Sequence, residues 1–245
     1  MEITTQIKTL LIPSGTKRRS GIKMNKVEFF VDHDTGNANS TAQNNVSYFI
    51  RSANTLSASA HVFVDDKEAI MCIPCMDNPE KAWHVLYDKV KDNELFGGDA
   101  NDIAIGLELC YFPNDKKRSL KAYENYVQIA AYLSKYHNVN PSKRLGHFEL
   151  DPDRRTDPNN ALKYIGKTYL DMKSDILIKY KELISEEEPI VDEPTNGTED
   201  VADWAKDAQA WVIQNHVSDG TNPKNNVSRE EVWTMLYRAY QLGKS

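Results

Sequence analysis

Residues 146–158, GHFELDPDRRTDP, bring an imidazole, several carboxylates and two guanidinium groups into one short run. Pro152 and Pro158 each lack an N–H and clash with a preceding helical turn, so this run is predicted to be a loop of restricted shape. A histidine and an aspartate held by such a loop, His147 and Asp157, are suitable as two ligands of a metal that a third residue completes. The alternative interpretation is a polar surface loop with a capping aspartate.

His33 is the candidate for the third ligand. It follows a β-rich run, residues 27–31, and lies in a polar turn, which is where α/β proteins commonly hold site residues. Together with His147 and Asp157 it would supply two neutral imidazoles and one carboxylate. Zinc with three protein ligands and one open position is the arrangement of catalytic zinc sites. Spacing alone leaves open the alternative that these residues are unrelated.

Glu108 interrupts a run, residues 103–110, that is otherwise almost wholly apolar, as a strand buried on both faces should be. A buried carboxylate is costly unless it is paired, protonated or catalytic. Beside a zinc ion it would be the general base. Zinc lowers the pKa of its bound water to about 7, and a nearby carboxylate can take that proton and pass it to a leaving nitrogen.

The elements that must position these residues alternate between strands and helices. Strands are predicted at residues 27–31, 61–64, 69–73 and 103–110, and helices at 40–51, from 119 up to Pro141, and at 160–183. Ser40 and Ser119 are expected to begin the first two helices, and Tyr48 is expected to belong to a helix core. The pattern predicts an α/β fold with a mixed central sheet flanked by helices.

A second domain is predicted beyond an acidic linker. Residues 183–199 contain prolines and acidic side chains without periodicity, so this segment is expected to be extended and flexible, and residues 1–182 form the larger domain. Residues 200–245 read as a small all-α domain, in which a turn at 220–223 separates two helices and Ser228 opens a capping box. Such a helical pair has a small core, so it gains stability if it pairs with a second copy.

Composition excludes several classes of protein. The net charge is −6, but seven of the 36 acidic residues lie between Leu183 and Asp200, and the other 29 are balanced by 30 Lys and Arg, so charge indicates no nucleic-acid partner. No apolar run approaches the length that spans a bilayer, and the N-terminus predicts no secretory signal. The three cysteines agree with a reducing compartment. Cys72 and Cys75 have the spacing of a zinc or redox pair, although a structural role is favoured.

Five segments occur in the order found in one family: residues 31–35 (VDHDT), 59–62 (SAHV), 82–84 (AWH), 105–108 (IGLE) and 146–158. As a set, over residues 1–182, they resemble the zinc-dependent N-acetylmuramoyl-L-alanine amidases of the peptidoglycan-recognition-protein type found in phage endolysins. The resemblance implies zinc bound by His33, His147 and Asp157. It also implies cleavage of the amide between N-acetylmuramic acid and L-alanine in peptidoglycan.

Other roles also follow from this resemblance. Glu108 corresponds to the catalytic acid, and Arg155 stands where many members carry a lysine that steadies the oxyanion, so its expected role is electrostatic. Trp83 and His84 resemble residues that flank the substrate groove, with a rim aromatic and a structural histidine as the alternative. His61 is a further candidate for binding substrate.

The C-terminal segments 203–208, 218–221 and 227–232 are similar to one S-layer-homology repeat, which implies binding to a secondary cell-wall polymer. The alternative is a helical pair used for dimerisation or for docking on the larger domain. The implied protein is an endolysin kept in the host cytoplasm, without insertion into a membrane, until holes in the membrane release it. Two other functions remain open: a non-catalytic peptidoglycan-binding protein, and a zinc endopeptidase that cuts the stem peptide.

Overall fold

The computed structural model describes residues 4–185, 201–215, 217–218 and 229–242. The chain divides into two compact units, Met1–Pro189 and Ile190–Ser245. The predicted linker lies almost entirely outside the described residues, and the predicted domain boundaries stay predictions.

Unit one is built on a mixed sheet, which has six strands in the described part of the chain. The strands are β1 (Ile7–Thr9), β2 (Phe29–Asp34), β3 (Val62–Val64), β4 (Ala69–Met71), β5 (Ala104–Leu109) and β6 (Arg144–Gly146). Their order is β1-β4-β3-β5-β2-β6. Strands β3, β5, β2 and β6 are mutually parallel, whereas β4 runs antiparallel to β3. The carboxyl ends of β2, β5 and β6 therefore meet at one edge of the sheet.

Helices cover both faces of this sheet. They are α1 (Ala42–Arg51), α2 (Lys91–Phe96), α3 (Ala100–Ile103), α4 (Lys116–Tyr136), α5 (His147–Leu150), α6 (Asn159–Leu162) and α7 (Tyr169–Ser185). Helices α4 and α7 pack together over one face, whereas α1 contacts β3 and β4 on the other. The mixed α/β fold predicted from the sequence is confirmed.

Alternation along the central strands assigns their side chains to the two faces. In β5, Ile105, Leu107 and Leu109 join the core beneath α4 and α7. Because successive side chains of a strand point to opposite faces, Gly106 and Glu108 lie on the face that carries α1. The exception in the apolar pattern of β5 is thus a residue directed away from the main core.

The predicted helix over residues 160–183 is wrong as a single element. Two helices, α6 and α7, stand there, and Gly166 between them has a φ of +74°. A left-handed glycine ends helices at little cost, which explains the break.

The first two helices are confirmed, but their caps differ from the prediction. Thr41 caps α1 by accepting the Asn44 N–H, and Asp115 caps α4 by accepting the Arg118 N–H. Ser119 is the fourth residue of α4. Tyr48, predicted to be core, is 51% exposed on α1.

Several short elements were not predicted from the sequence. Strands β1 and β6 have three residues each, and helices α2 and α3 lie between residues 91 and 103, where no helix was predicted. The predicted 146–158 loop begins with the single-turn helix α5, which precedes Pro152 and so is not barred by it.

Unit two contains a 3₁₀ turn, Asp203–Ala205, followed by α8 (Lys206–Gln214) and α9 (Arg229–Leu242). Large apolar side chains are solvent-exposed in both helices. The predicted turn at 220–223 and the predicted cap at Ser228 lie outside the described residues. Among the helices that the structure describes, none has the length and apolarity needed to cross a membrane.

Candidate metal centre and active site

The sheet brings the three predicted ligands together at the carboxyl ends of two adjacent strands. His33 lies near the end of β2, and His147 directly follows β6, whose last residue, Gly146, pairs with Asp32 of β2. Asp157 arrives from the loop beyond α5. All three side chains are buried, and one nitrogen or oxygen atom from each lies within 4.8 Å of the others.

The Nδ1 atoms of the two histidines both lie close to one carboxylate oxygen of Asp157. Oδ2 of Asp157 lies 3.0 Å from Nδ1 of His33 and 3.1 Å from Nδ1 of His147. Two ligand atoms that are each about 2.0–2.2 Å from a tetrahedral zinc ion are about 3.3 Å apart, so these separations nearly match a zinc ligand set. Two imidazoles and one carboxylate also have the chemistry of a catalytic zinc site. The residues therefore fit a zinc ion.

Hydrogen bonds within the 146–158 loop fix the second ligand relative to the third. The Phe148 N–H, next to His147, donates to the carbonyl of Asp157 at 3.1 Å. The buried side chain of Asp151 accepts from Nε of Arg154 at 2.8 Å and pairs with Lys89 at 3.1 Å. The shape of the loop is thus set by this network as well as by its prolines.

The pKa values of the ligands favour the protonation states that bind metal. Burial alone would raise the pKa of Asp157, but hydrogen bonds with His147 and His33 hold it well below its usual range. Burial lowers the pKa of His147 to about 4. An ionised carboxylate and a neutral imidazole are the forms that coordinate metal ions.

Glu108 stands beside the ligands. It pairs in register with His33, and both side chains lie on the same face of the sheet. Burial, together with the charges of Asp157 and Asp34, raises the pKa of Glu108 well above its usual value, while Arg155 opposes the rise. Among the described residues, Oε2 of Glu108 has no hydrogen-bond partner. A carboxyl group in this state is suited to exchange protons with a ligand in the cleft.

Two cavities flank this group. The first, of about 250 Å³, is lined by all three ligands and by Glu108, and the second is about 220 Å³. The walls that both cavities share include Trp83, His84, His147 and Arg155. Of the residues predicted to touch substrate, Trp83 lines both cavities and is half-buried.

His61 does not reach the cleft. Its ring is fully buried, where Nε2 donates to the carbonyl of Glu80 at 2.9 Å and Nδ1 accepts the Gly106 N–H at 2.9 Å. Both ring nitrogens are engaged by the backbone, and burial lowers the pKa of His61 to about 4, so the ring is neutral at pH 7. We therefore assign His61 to the support of the sheet instead of the substrate groove.

Three supporting residues were missed by sequence reasoning. Asp34, the last residue of β2, accepts the Ala161 N–H at 3.2 Å and so ties β2 to α6, just beyond Asp157. Asn101 holds the backbone beside His84, and Asp32 anchors β2 from the opposite face. Asp32 and Asp34 are the sequence neighbours of His33, and this position could have identified them as candidate supporting residues. Asn101 has no comparable signal in the sequence around it.

Several known proteins are similar to this chain in sequence or in fold. The model of the Amidase_2 family, N-acetylmuramoyl-L-alanine amidase, matches residues 23–160. The amidase CwlA of a Bacillus species is 35% identical over 96 residues, which are 39% of this chain and 34% of that protein. The amidase XlyB of Bacillus subtilis is 37% identical over 108 residues, which are 44% of this chain and 30% of that protein. The chain thus spans about a third of the length of these relatives.

Solved structures agree with the family match. The structure of PlyL is 26% identical, with a TM-score of 0.55, and the match covers 70% of this chain and 97% of that one. The PlyG catalytic domain is also 26% identical with a TM-score of 0.55, over 72% of this chain and 96% of that one.

A mixed sheet that gathers two histidines, an aspartate and a glutamate at the carboxyl ends of its strands is typical of a metal-dependent hydrolase. The family model covers more than half of the chain. The chain belongs to the N-acetylmuramoyl-L-alanine amidase family Amidase_2.

Proposed function

We propose that this protein is a peptidoglycan hydrolase that cleaves the amide between N-acetylmuramic acid and L-alanine. The observation that carries the proposal is the convergence of His33, His147 and Asp157 beside Glu108, in a cavity that all four residues line. His33, His147 and Asp157 would hold zinc. When bound there, zinc supplies a water of lowered pKa and a positive charge that polarises the carbonyl.

Glu108 is the proposed general base and acid. Its carboxylate takes a proton from the attacking water and delivers it to the nitrogen that leaves as the amino group of L-alanine. The surroundings of Glu108 raise its pKa, and this favours the protonated carboxyl group that delivers the proton to the leaving nitrogen. One group thus serves both proton transfers.

Arg155 is proposed to stabilise the negative charge that develops on the carbonyl oxygen. It lines both cavities beside His147, and its guanidinium group stays charged throughout. Because arginine does not give up its proton in proteins, its contribution is electrostatic. The rest of the cleft binds the two halves of the substrate.

Digestion of purified cell walls tests the reaction. The protein is expected to release fragments with new N-terminal alanine and free muramic carboxyl groups, identified by mass spectrometry. Removal of metal with a chelator should abolish this release, and added zinc should restore it, because the water loses its activation without the ion.

The other outcomes separate the rival functions. New termini within the stem peptide would identify an endopeptidase. Binding to walls without any fragments would identify a peptidoglycan-binding protein. Either result contradicts the proposed amidase activity.

We further propose that unit two binds a secondary cell-wall polymer. The supporting observation is its exposed aromatic side chains: Trp204 is 87% exposed, Trp233 63% and Tyr237 59%. Trp233 and Tyr237 are four residues apart in α9 and therefore lie on one face of that helix. Neighbouring exposed apolar groups mark interaction surfaces. The endolysin role, with storage in a host cytoplasm and release through membrane lesions, stays a prediction.

Sedimentation with purified walls tests this surface. The full chain carrying Glu108→Gln, which should leave the walls intact, is expected to sediment with them, and the added substitutions Trp204→Ala and Trp233→Ala should weaken binding at least fivefold. Tyr136→Ala removes an exposed aromatic residue of unit one and serves as the control. Equal binding by all of these variants would refute the role of unit two.

A further inference from the structure

The candidate metal centre continues into a second layer of residues through His84. Nε2 of His33 lies 3.1 Å from Nδ1 of His84, on the side of the His33 ring opposite the Nδ1 atom that faces Asp157. A hydrogen bond at this distance needs one donor and one acceptor, and the tautomers of the two rings decide which nitrogen donates. The contact therefore couples the proton position of His33 to that of His84.

We propose that His84 is a positioning residue, which accepts the Nε2–H of His33 and thereby keeps the Nδ1 lone pair of His33 directed at the metal. The proposal rests on the metal centre proposed above. A histidine that binds metal through one nitrogen usually donates its other N–H to an oriented acceptor. Here the acceptor is a second imidazole instead of the more common carboxylate or backbone carbonyl.

The backbone of His84 is clamped in place by one buried amide. Oδ1 of Asn101 accepts the N–H groups of His84 and Val85 at 2.8 and 3.1 Å, and Nδ2 of Asn101 donates to the Val85 carbonyl at 2.7 Å. Asn101 is 1% exposed, so water offers little competition for these bonds. One of these bonds is made to His84 and two to Val85, and together they fix the backbone from which the His84 side chain projects.

The ring of His84 is held over a glycine of the central strand. A Cβ atom on Gly106 would lie 2.8 Å from Nδ1 and 2.9 Å from Cγ of His84, a separation that real Cβ atoms do not show. Only glycine at position 106 lets the ring sit against β5 and reach His33. The space above Gly106 and the hydrogen bonds of Asn101 thus both favour the contact between His84 and His33.

This position differs from that of a residue whose purpose is to bind substrate. His84 is 8% exposed, and its ring makes edge contacts with the rings of His33 and His61. Its Nδ1 atom is directed at a metal ligand and not at the cleft. We therefore assign His84 to the support of the metal centre, and its ring also forms part of the wall of both cavities beside Trp83.

Zinc affinity of the full chain, measured by competition with a chromophoric chelator, tests the proposal. His84→Leu keeps an apolar group over Gly106 but removes the acceptor, so it should weaken zinc binding by about 10- to 100-fold. His84→Asn places an amide oxygen near the position of Nδ1 and should recover most of the affinity. His137→Leu, which removes a histidine at the end of α4, is the matched control and should bind zinc as the unsubstituted chain does.

The outcomes distinguish this proposal from the proposed function. If the unsubstituted chain binds no zinc, the metal centre itself fails. If the unsubstituted chain binds zinc and His84→Leu binds it within twofold as tightly, only the positioning role is overturned. A purely structural role would lower the thermal stability of the metal-free His84→Leu and His84→Asn chains without this difference between them in zinc affinity.

Nuclear magnetic resonance of the unsubstituted chain provides a test that does not depend on how the variants fold. In the zinc-loaded protein with ¹⁵N-labelled histidines, His33 is expected to have a metal-bound Nδ1 and a protonated Nε2 that shows hydrogen-bond coupling to Nδ1 of His84. A metal-bound Nε2 on His33 would overturn the proposal.

Discussion

Replacement of Glu108 by glutamine should reduce the hydrolysis of cell walls by about 10²- to 10⁴-fold, the usual contribution of a positioned general acid–base group. The substitution preserves the shape of the side chain but leaves no group that can take a proton from water or deliver one to the leaving nitrogen. That loss corresponds to about 3–5 kcal/mol of transition-state stabilisation. Zinc affinity should stay within about threefold, because Glu108 is not among the proposed ligands.

The rate is measured as the release of peptide from purified walls, and the zinc content by competition with a chelator. Glu124→Gln removes an exposed carboxylate of α4 and should leave both quantities unchanged. Full activity of the Glu108→Gln chain would remove the base assignment. Loss of zinc would instead make Glu108 part of the metal centre.

The candidate metal ligands were predictable because each is adjacent to a recognisable signal. His33 follows an apolar strand, and Pro158 directly follows Asp157. Glu108 interrupts an apolar pattern. The imidazole of His33 and the carboxylate of Glu108 are polar groups in or beside apolar strands. Such mismatches between a residue and its surroundings are common at functional sites. The structure brings His33, His147 and Asp157 together, although their chemical roles are still to be tested.

The residues and short elements that hold the site in place could not be predicted, because they depend on contacts between residues distant in sequence. Asn101 lies 17 residues from His84, and its role requires the two loops to meet. The strand β6 has only three residues, too few for a period of two to be visible. The break between α6 and α7 depends on the backbone conformation of Gly166, which competes with an apolar pattern that continues on both sides of it.

A buried network behind β2 fixes the distance between the strands that carry the two histidines. Oδ2 of Asp32 accepts from Nε of Arg144 and from the hydroxyl of Tyr169, both at 2.8 Å, and Oδ1 accepts from the hydroxyl of Tyr126 at 2.7 Å. Asp32 precedes His33 in β2, and Arg144 is the first residue of β6. The network thus joins both strands to α4 and α7, and its two charged side chains are inaccessible to solvent.

Asp32→Ala should therefore lower the free energy of unfolding by about 3–5 kcal/mol, because it leaves the guanidinium of Arg144 buried without a counter-charge. The two hydroxyl groups would lose their acceptor as well. Urea denaturation of the metal-free chain measures the effect.

A surface pair offers the matched control. Arg118 donates to both oxygens of Asp66 at 2.8 and 2.9 Å, but this pair is partly exposed, so Asp66→Ala should cost about 1 kcal/mol or less. The two aspartates each pair with one arginine, but Asp32 is buried and also accepts from two tyrosine hydroxyl groups. A loss for Asp32→Ala no larger than the loss for Asp66→Ala would mean that Arg144 reaches water when its partner is removed, and that the backbone pairing of β2 with β6 holds the two strands together without the network.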